Sequence, residues 1–458
     1  MPLRETAPKL TPEQYEESFA DITPRMNARQ AAIEAARCLY CFDAACTIAC
    51  PTRIDVPGFI KRIMTGNTRG AARVILEANI LGQTCGRVCP TEALCEGACV
   101  MVEKGEEAIE IGRLQRYAVD HVLDRNIRLF HAGSPNGRRV ACIGSGPASL
   151  SCAAALARKG YAVTIFDRAE LPGGLSTYGI AAYKTRVSDS LREVEMVKSL
   201  GVVFKQKVEI GRDISFAQLE KEFDAIFIGV GLGETWAMDI EGEELEGVCG
   251  AMEFIERTKV LPFPQVSIGK RIACIGAGNT AIDVVTAARR LGAETVYLVY
   301  RRSEKEMSAF PYEHELAKND EVIFLWQTQP VRILGDSGAV TGLECIRTVL
   351  GPPDARGRRS PEPIPDSLFT IDVDMVVRAV GQKPVTDFLR AVQGIELRKN
   401  GTVVADAHHQ TGNKKYFAGG DCVNGGSEVV DAVAEGMAAA RGIDAWLEET
   451  SGAARREN

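Results

Sequence analysis

The sequence predicts an α/β protein in which an N-terminal α-helical segment bearing clustered cysteines precedes two doubly wound, parallel-sheet domains. Three observations predict it. Eight of the fourteen cysteines fall between Cys38 and Cys99, among segments of helical periodicity. A strand–glycine turn–helix–strand pattern starts at Arg138, and a second one starts at Lys270. A third glycine-bearing strand end, Ala418-Gly419-Gly420-Asp421, lies far downstream and leads into another helical run.

A chain of 458 residues has room for about three domains. We expect a helical domain at 1–137, the first part of one sheet domain at 138–236, a second sheet domain at 237–381, and the return to the first at 382–458. With 45% apolar and 25% charged residues, the chain has the balance of a globular protein. A formal charge of −7 lacks the basic field that nucleic-acid binding uses, and no apolar run reaches bilayer length. Neither nucleic acid nor a membrane is therefore an expected partner. The opening MPLRETAPKLTPEQYEE lacks the apolar core and cleavage site of a secretory signal, so the expected location is cytoplasmic.

In the front segment, NARQAAIEAARC and RGAARVILEAN place apolar residues at helical spacing, with no β-branched alternation to compete. In a reducing compartment the cysteines among them are better suited to metal or cluster ligation than to disulfides. The first group reads Cys38-x2-Cys41-x4-Cys46-x3-Cys50-Pro51. The second reads Cys85-x3-Cys89-Pro90, followed by Cys95 and Cys99. An iron–sulfur core needs several thiolates on one inorganic centre, and in two-cluster ferredoxins the cysteine before proline serves the other cluster. The x4 spacing departs from the ferredoxin run, so the likeness is to that logic alone. Two four-cysteine zinc sites are the alternative; such a chain would be a zinc-stabilised nucleotide-binding scaffold.

RRVACIGSGPASLSCAAALARKG, then YAVTIFDR, forms the first Rossmann-like unit. Gly144 permits the tight turn, Gly146 lets the backbone approach a pyrophosphate, and the next helix N-terminus favours its charge. Ser149 stands at the third fingerprint position, and Asp167 ends the next strand, where an acid accepts ribose hydroxyls. The second unit, KRIACIGAGNTAIDVVTAARRLGA, then ETVYLVYRR, has Gly276, Gly278 and Ala281 in its turn. Its next strand ends in Arg301 and Arg302, whose guanidinium groups suit a ribose 2′-phosphate. GPPDARGRRSPEPIP, rich in Pro, Gly and charge, reads as a surface loop. Asp421, after two glycines at a strand end, suits hydrogen bonding to a flavin ribityl chain, and the helix from about Ser427 aims its positive end the same way.

Together these features resemble the two-dinucleotide-fold flavoproteins. Over almost its full length the chain resembles the small subunit of glutamate synthase and its relatives, which include dihydropyrimidine dehydrogenase and the flavin subunit of its bacterial form. It departs from the disulfide reductases: Cys142, Cys152, Cys249, Cys274, Cys345 and Cys422 are separated singles suited to apolar packing. Two details favour the pyrimidine branch, Gln115 in the run Ile111–Arg116 and the run Gly173-Gly174-Leu175-Ser176-Thr177.

The resemblance implies FAD, two 4Fe-4S clusters and NADH or NADPH. One cluster would take Cys38, Cys41, Cys46 and Cys99; the other would take Cys50, Cys89, Cys95 and Gln115, with Cys85 left out. A set using Cys85 in place of Gln115 competes. FAD would lie on Gly144, Ser145, Gly146, Pro147, Ala148, Asp167, Gly174, Leu175, Gly420, Asp421 and Val429, with Lys184 where relatives have an arginine near the flavin. The nicotinamide cofactor would lie on Gly276, Ala277, Gly278, Asn279, Thr280, Arg301, Arg302, Ala379, Val380 and Gly381. Ser308 stands where some NADPH-using relatives place a basic residue, which keeps NADH in play. The implied activity is electron input to dihydropyrimidine dehydrogenase, with no residue acting as catalytic acid or base. Its partner would be a separate FMN-containing catalytic subunit in a hetero-oligomer, because a barrel of roughly 250 residues does not fit in this chain. The alternative is a glutamate synthase small subunit or a related NAD(P)H:ferredoxin-type flavoprotein.

Overall fold

The computed structural model describes residues 3–354 and 357–456. They form two compact units: a larger one of Thr23–Thr177, Val187–Gly233 and Pro384–Asn458, and a smaller one of Met1–Ile22, Tyr178–Arg186 and Glu234–Lys383. Among the described residues no helix is long and apolar enough to cross a membrane. Thirteen strands lie among them: β1 (Arg139–Ile143), β2 (Ala162–Asp167), β3 (Val203–Gln206), β4 (Ala225–Ile228), β5 (Val248–Gly250), β6 (Arg271–Ile275) and β7 (Thr295–Val299). They continue with β8 (Ile323–Leu325), β9 (Thr328–Asp336), β10 (Ala339–Pro353), β11 (Arg359–Asp372), β12 (Met375–Arg378) and β13 (Tyr416–Ala418).

The front of the larger unit is built from short helices that share one core. Helix Val56–Met64 buries Val56, Phe59, Ile60 and Ile63, a single 3.6-period stripe, and Asp55 caps its start by accepting from the Gly58 N–H at 2.9 Å. Helix Thr68–Ala78 buries Ala71, Ala72, Ile75 and Leu76 and is capped likewise by Asn67. Helix Gly82–Val88 has no cap from its own neighbours. Its cap is Glu193, from helix Val187–Lys198, which accepts from the Gln83 N–H at 2.7 Å, the Thr84 N–H at 3.1 Å and the Thr84 hydroxyl.

Burial pushes the Glu193 carboxyl up to about 7, against the pull of those donors and of Arg87. Between its ordinary value of 4.5 and about 7, the unfolded chain releases a proton that the folded chain keeps. Stability from this group therefore falls as pH rises through that window. Glu193→Gln cannot titrate, so the difference in Tm between the wild type and this variant is expected to shift against the wild type from pH 5 to pH 7.5. A pH-independent difference would contradict it.

The first sheet runs β13-β4-β1-β2-β3 with every pair parallel. β13 returns from the C-terminal segment to pair with β4 (Tyr416 opposite Ile226), which makes this domain discontinuous, as expected. Helix Val429–Arg456 crosses close over helix Pro147–Arg158: a Cβ on Gly436 would lie 2.1 Å from the Ala148 carbonyl oxygen.

The smaller unit has a second parallel sheet, β5-β12-β6-β7-β8, and an antiparallel one, β11-β10-β9. The segment expected as a surface loop is the far end of the β10–β11 ribbon, apart from residues 355–356, which lie outside the described residues. Pro361 and Pro363 pair with Leu350 and Thr348 on an edge strand, where the missing N–H costs no ladder bond. The first 22 residues, expected to open the helical domain, pack in this unit instead. Thr6 bridges Gly269, and Tyr15 and Phe19 stack on Phe263 with centroids 5.6 and 4.1 Å apart. An apolar face on so short a helix needs such a platform.

Candidate functional site

The first glycine turn connects β1 to helix Pro147–Arg158. Gly144 adopts φ +89°, and a Cβ there would lie 2.5 Å from the Gly229 carbonyl oxygen, so only glycine fits. Gly146 caps the helix with no side-chain acceptor, and Pro147 needs no partner for a missing N–H, so first-turn amides face outward for an anion. Asp167, at the end of β2, accepts from the Ser145 N–H at 2.6 Å and the Ser145 hydroxyl at 2.5 Å, which ties the strand end to the turn. Gly174 lies against the same turn at φ +55°, where a Cβ would come 2.6 Å from Gly146 Cα. From the C-terminal segment Gly420 also approaches, at 3.1 Å from Ala148 Cβ if it bore a Cβ, and its N–H donates to Glu435 at 2.6 Å.

Asp421 follows, buried enough that its carboxyl is pushed up to about 6, with Glu435 and Asp431 adding to the effect and the Ser427 N–H opposing it. Val429 opens the long helix and Leu175 a short one. The expected residues Gly144–Ala148, Asp167, Gly174 and Gly420 are thus brought together. Small backbone, free helix amides and a buried acid are a donor and acceptor set that fits FAD. Lys184, expected beside the flavin, has other partners within the smaller unit. It is buried, pairs with Asp283 at 2.7 Å and with Glu313, and these carboxylates hold its ammonium above its ordinary value against the effect of burial. Tyr183 donates to the same Asp283 oxygen at 2.8 Å.

Sixty residues of chain separate the thiols that meet in the front helices. Cys38, Cys41, Cys46 and Cys99 line one cavity, walled by Val56, Ile60, Ile109 and Ile111. Burial pushes the Cys46 thiol up to about 11 and raises Cys38, with Cys99 adding to both. Cys89 is raised further by the hydrogen bond to Cys85, by burial, and by Cys95 and Cys50. Cys95 is raised by burial, with Glu96 and Cys50 adding to it. Buried neutral thiols of this kind become thiolates only on binding a cation, so loading them releases protons. The second group therefore holds Cys50, Cys89 and Cys95 with Cys85 among them. Gln115 is buried on helix Ile111–Leu123, which meets helix Gly82–Val88 closely enough that a Cβ on Gly86 would lie 3.2 Å from the Gly112 carbonyl oxygen. Its amide donates to the Gly82 carbonyl at 2.8 Å. Cys38, Cys41, Cys46 and Cys99 on one apolar cavity are the donor type an iron–sulfur core takes, while among the described residues no group of three or more His, Cys, Asp or Glu side chains is closed enough to hold a metal ion.

In the smaller unit a cavity of about 620 Å³ lies over the ends of β6, β7 and β12. Gly276, Ala277, Gly278, Thr280, Arg301, Ala379, Val380 and Gly381 all line it. Gly276 needs φ +133°, with the Ala379 carbonyl oxygen 2.3 Å from where a Cβ would be, and Gly278 caps helix Asn279–Arg290 with its amides free. Two expected residues do not line the cavity. The Asn279 side chain accepts from the Phe310 N–H at 3.0 Å and so fixes the turn, while Arg302 buries its Nε without a partner. Ser308 does line it, its hydroxyl 3.4 Å from the Ala277 carbonyl oxygen. Thr235, Trp236, Met238, Gln329 and Pro330 also line it and carried no sequence signal, because they come from the connection after β4 and from β9. The volume suits a dinucleotide.

Comparison with known proteins agrees with this geometry. Residues 15–127 match the family described as dihydropyrimidine dehydrogenase domain II, 4Fe-4S cluster. Residues 138–436 match that described as pyridine nucleotide-disulphide oxidoreductase. The small chain of glutamate synthase [NADPH] from Escherichia coli is 37% identical, covering 94% of each chain. A Geobacter sulfurreducens NADPH-Fe(3+) oxidoreductase subunit beta is 36% identical over 89% of this chain and 64% of its own. Among solved structures, Mycobacterium tuberculosis FprA in complex with NADPH shares the fold, with a TM-score of 0.57 and 20% identity over 70% of this chain and 86% of its own.

Proposed function

The chain belongs to the pyridine nucleotide-disulphide oxidoreductase family, with an iron–sulfur domain ahead of it, and from that premise we propose that it is the NADPH-oxidising, electron-input subunit of a glutamate synthase-type complex. At the coarser level it is an NAD(P)H-dependent flavin and iron–sulfur oxidoreductase subunit. The observation that carries the finer reading is the 37% identity, over 94% of both chains, to the small chain of an NADPH-dependent glutamate synthase. This moves the pyrimidine expectation to second place. What favours the second reading is Gln115, buried against the helix of Cys85, together with the domain II match.

When bound, FAD would supply the hydride-accepting chemistry and iron–sulfur cores the one-electron chemistry. The chain's own residues position and shield. The turns at Gly144 and Gly276 would offer their helix amides to pyrophosphates, Asp421 would accept from a ribityl hydroxyl, and Val56, Ile60 and Ile111 wall the cavity of the first four thiols. Arg301 supplies the charge for a 2′-phosphate. We expect Arg301→Ala to raise KM for NADPH by about tenfold or more, the loss of a charged hydrogen-bond donor, with NADH changed less than about twofold. Equal losses would sink that role.

The partner would dock on the exposed apolar surface of the loop that carries Cys38, Cys41 and Cys46. Phe42 is 100% exposed there, with Leu39 at 50% and Ile48 at 59%. Phe42→Asp is expected to cut transfer to the native partner by about tenfold while leaving NADPH-driven ferricyanide reduction intact. Unchanged partner turnover would remove this surface from the account. Purifying the native complex and assaying glutamine plus 2-oxoglutarate against uracil separates the two readings: glutamate formation supports the first, uracil reduction the second.

A further inference from the structure

We propose that Trp236 is a cofactor-contacting side chain that closes the nicotinamide end of the 620 Å³ cavity; the inference rests on reading that cavity as the NAD(P) site. Sheet order gives the cavity two ends. β6 carries the glycine turn, β7 flanks it on one side and leads to Arg301, and β12 flanks it on the other and leads to Gly381. In a doubly wound sheet the adenosine ribose lies over the strand in β7's place and the second nucleotide crosses to the other side.

Trp236 belongs to that second side. Its N–H donates to the Gly381 carbonyl at 3.0 Å, Thr235 forms an antiparallel bridge with Gln382, and the Lys383 N–H donates to the Glu234 carbonyl at 2.8 Å. A Cβ on Gly381 would lie 3.8 Å from Trp236 Cδ1, so the indole lies directly on the turn. The backbone is clamped, yet the residue is 48% exposed. Trp326 stacks on Phe324 and Trp446 packs on Phe417, whereas among the described residues no aromatic ring or cation packs on Trp236. An indole on the cavity wall, carried by a clamped backbone, suits a flat ring that bears positive charge, which the oxidised nicotinamide is.

The test uses the flavin-loaded protein and calorimetric titration with NADP+, with NAD+ in parallel, and with 2′,5′-ADP, which lacks the nicotinamide half. Trp236→Ala is expected to weaken dinucleotide binding by about three- to tenfold and to leave 2′,5′-ADP within about twofold. Trp236→Phe should recover most of the loss, which a misfolded variant would not. Dinucleotide binding should also quench tryptophan fluorescence in the wild type, with that quench reduced in Trp236→Phe. Dinucleotide affinity unchanged in Trp236→Ala, or an equal loss for 2′,5′-ADP, overturns the inference while leaving the cavity reading intact. If the wild type binds neither dinucleotide nor 2′,5′-ADP, the cavity reading fails and takes the inference with it.

Discussion

Cys46→Ala is expected to lose about half of the chain's iron and to cut electron delivery to an external acceptor by roughly 100-fold, the scale at which metal-site lesions act. Cys46 shares its cavity with Cys38, Cys41 and Cys99, and that cavity is walled by side chains with no oxygen or nitrogen to offer in its place. The turns proposed to hold nucleotides lie elsewhere in the chain, so NADPH should still bleach the flavin of this variant at the wild-type rate. Iron analysis and paired assays with and without the acceptor check both halves. Full iron content in the variant would remove Cys46 from the ligand set.

The second large effect is expected at Gly174. Its φ of +55° and the 2.6 Å approach of a Cβ to Gly146 Cα mean that any side chain presses on the backbone of the pyrophosphate turn. Gly174→Val should cost of order 2–5 kcal/mol from backbone strain and overpacking together, and should yield protein without flavin. Gly201→Ala is the control: it has φ +86° with nothing within 4 Å of the added Cβ, so it carries the strain without the clash and should retain FAD. Absorbance at 450 nm per chain, with Tm, reads both. Full flavin in Gly174→Val would show that the turn tolerates displacement.

Both sheets and both turns were legible in the sequence because a buried parallel strand is a continuous apolar run and the turn after it demands glycine. Val140–Ile143 and Ile272–Ile275 are such runs, and Gly144 and Gly276 take the positive φ that no other residue accepts cheaply. The discontinuity was legible too, since Ala418-Gly419-Gly420-Asp421 reads as a strand end whose acid suits a flavin ribityl chain, and β13 does pair with β4 of the first sheet. Long-range placement was not. Spacing could not say that Cys99 joins Cys38 rather than Cys89; that expectation came from resemblance, and the shared cavity accords with it. Trp236 and Gln329 reach the nicotinamide cavity from segments with no periodic or motif signal. Arg301 and Arg302 looked equivalent, but adjacent residues diverge at a strand end, and only Arg301 lines the cavity. The prolines of β11 imitate a loop, because composition does not show that a strand lies on an edge. The pairing of Lys184 with Asp283 and Glu313, each about 100 residues or more away, likewise had no signal in the sequence.

On the proposed function, thiols of the front helices hold iron–sulfur cores able to drain a reduced flavin. The most direct test is anaerobic titration of the holoprotein with NADPH, following flavin absorbance and low-temperature EPR on the same samples. The account predicts reduced-cluster signals that grow along with flavin bleaching, and electron uptake above the two that FAD alone accepts. Complete bleaching after two electrons, with no cluster signal from an iron-replete sample, would contradict it.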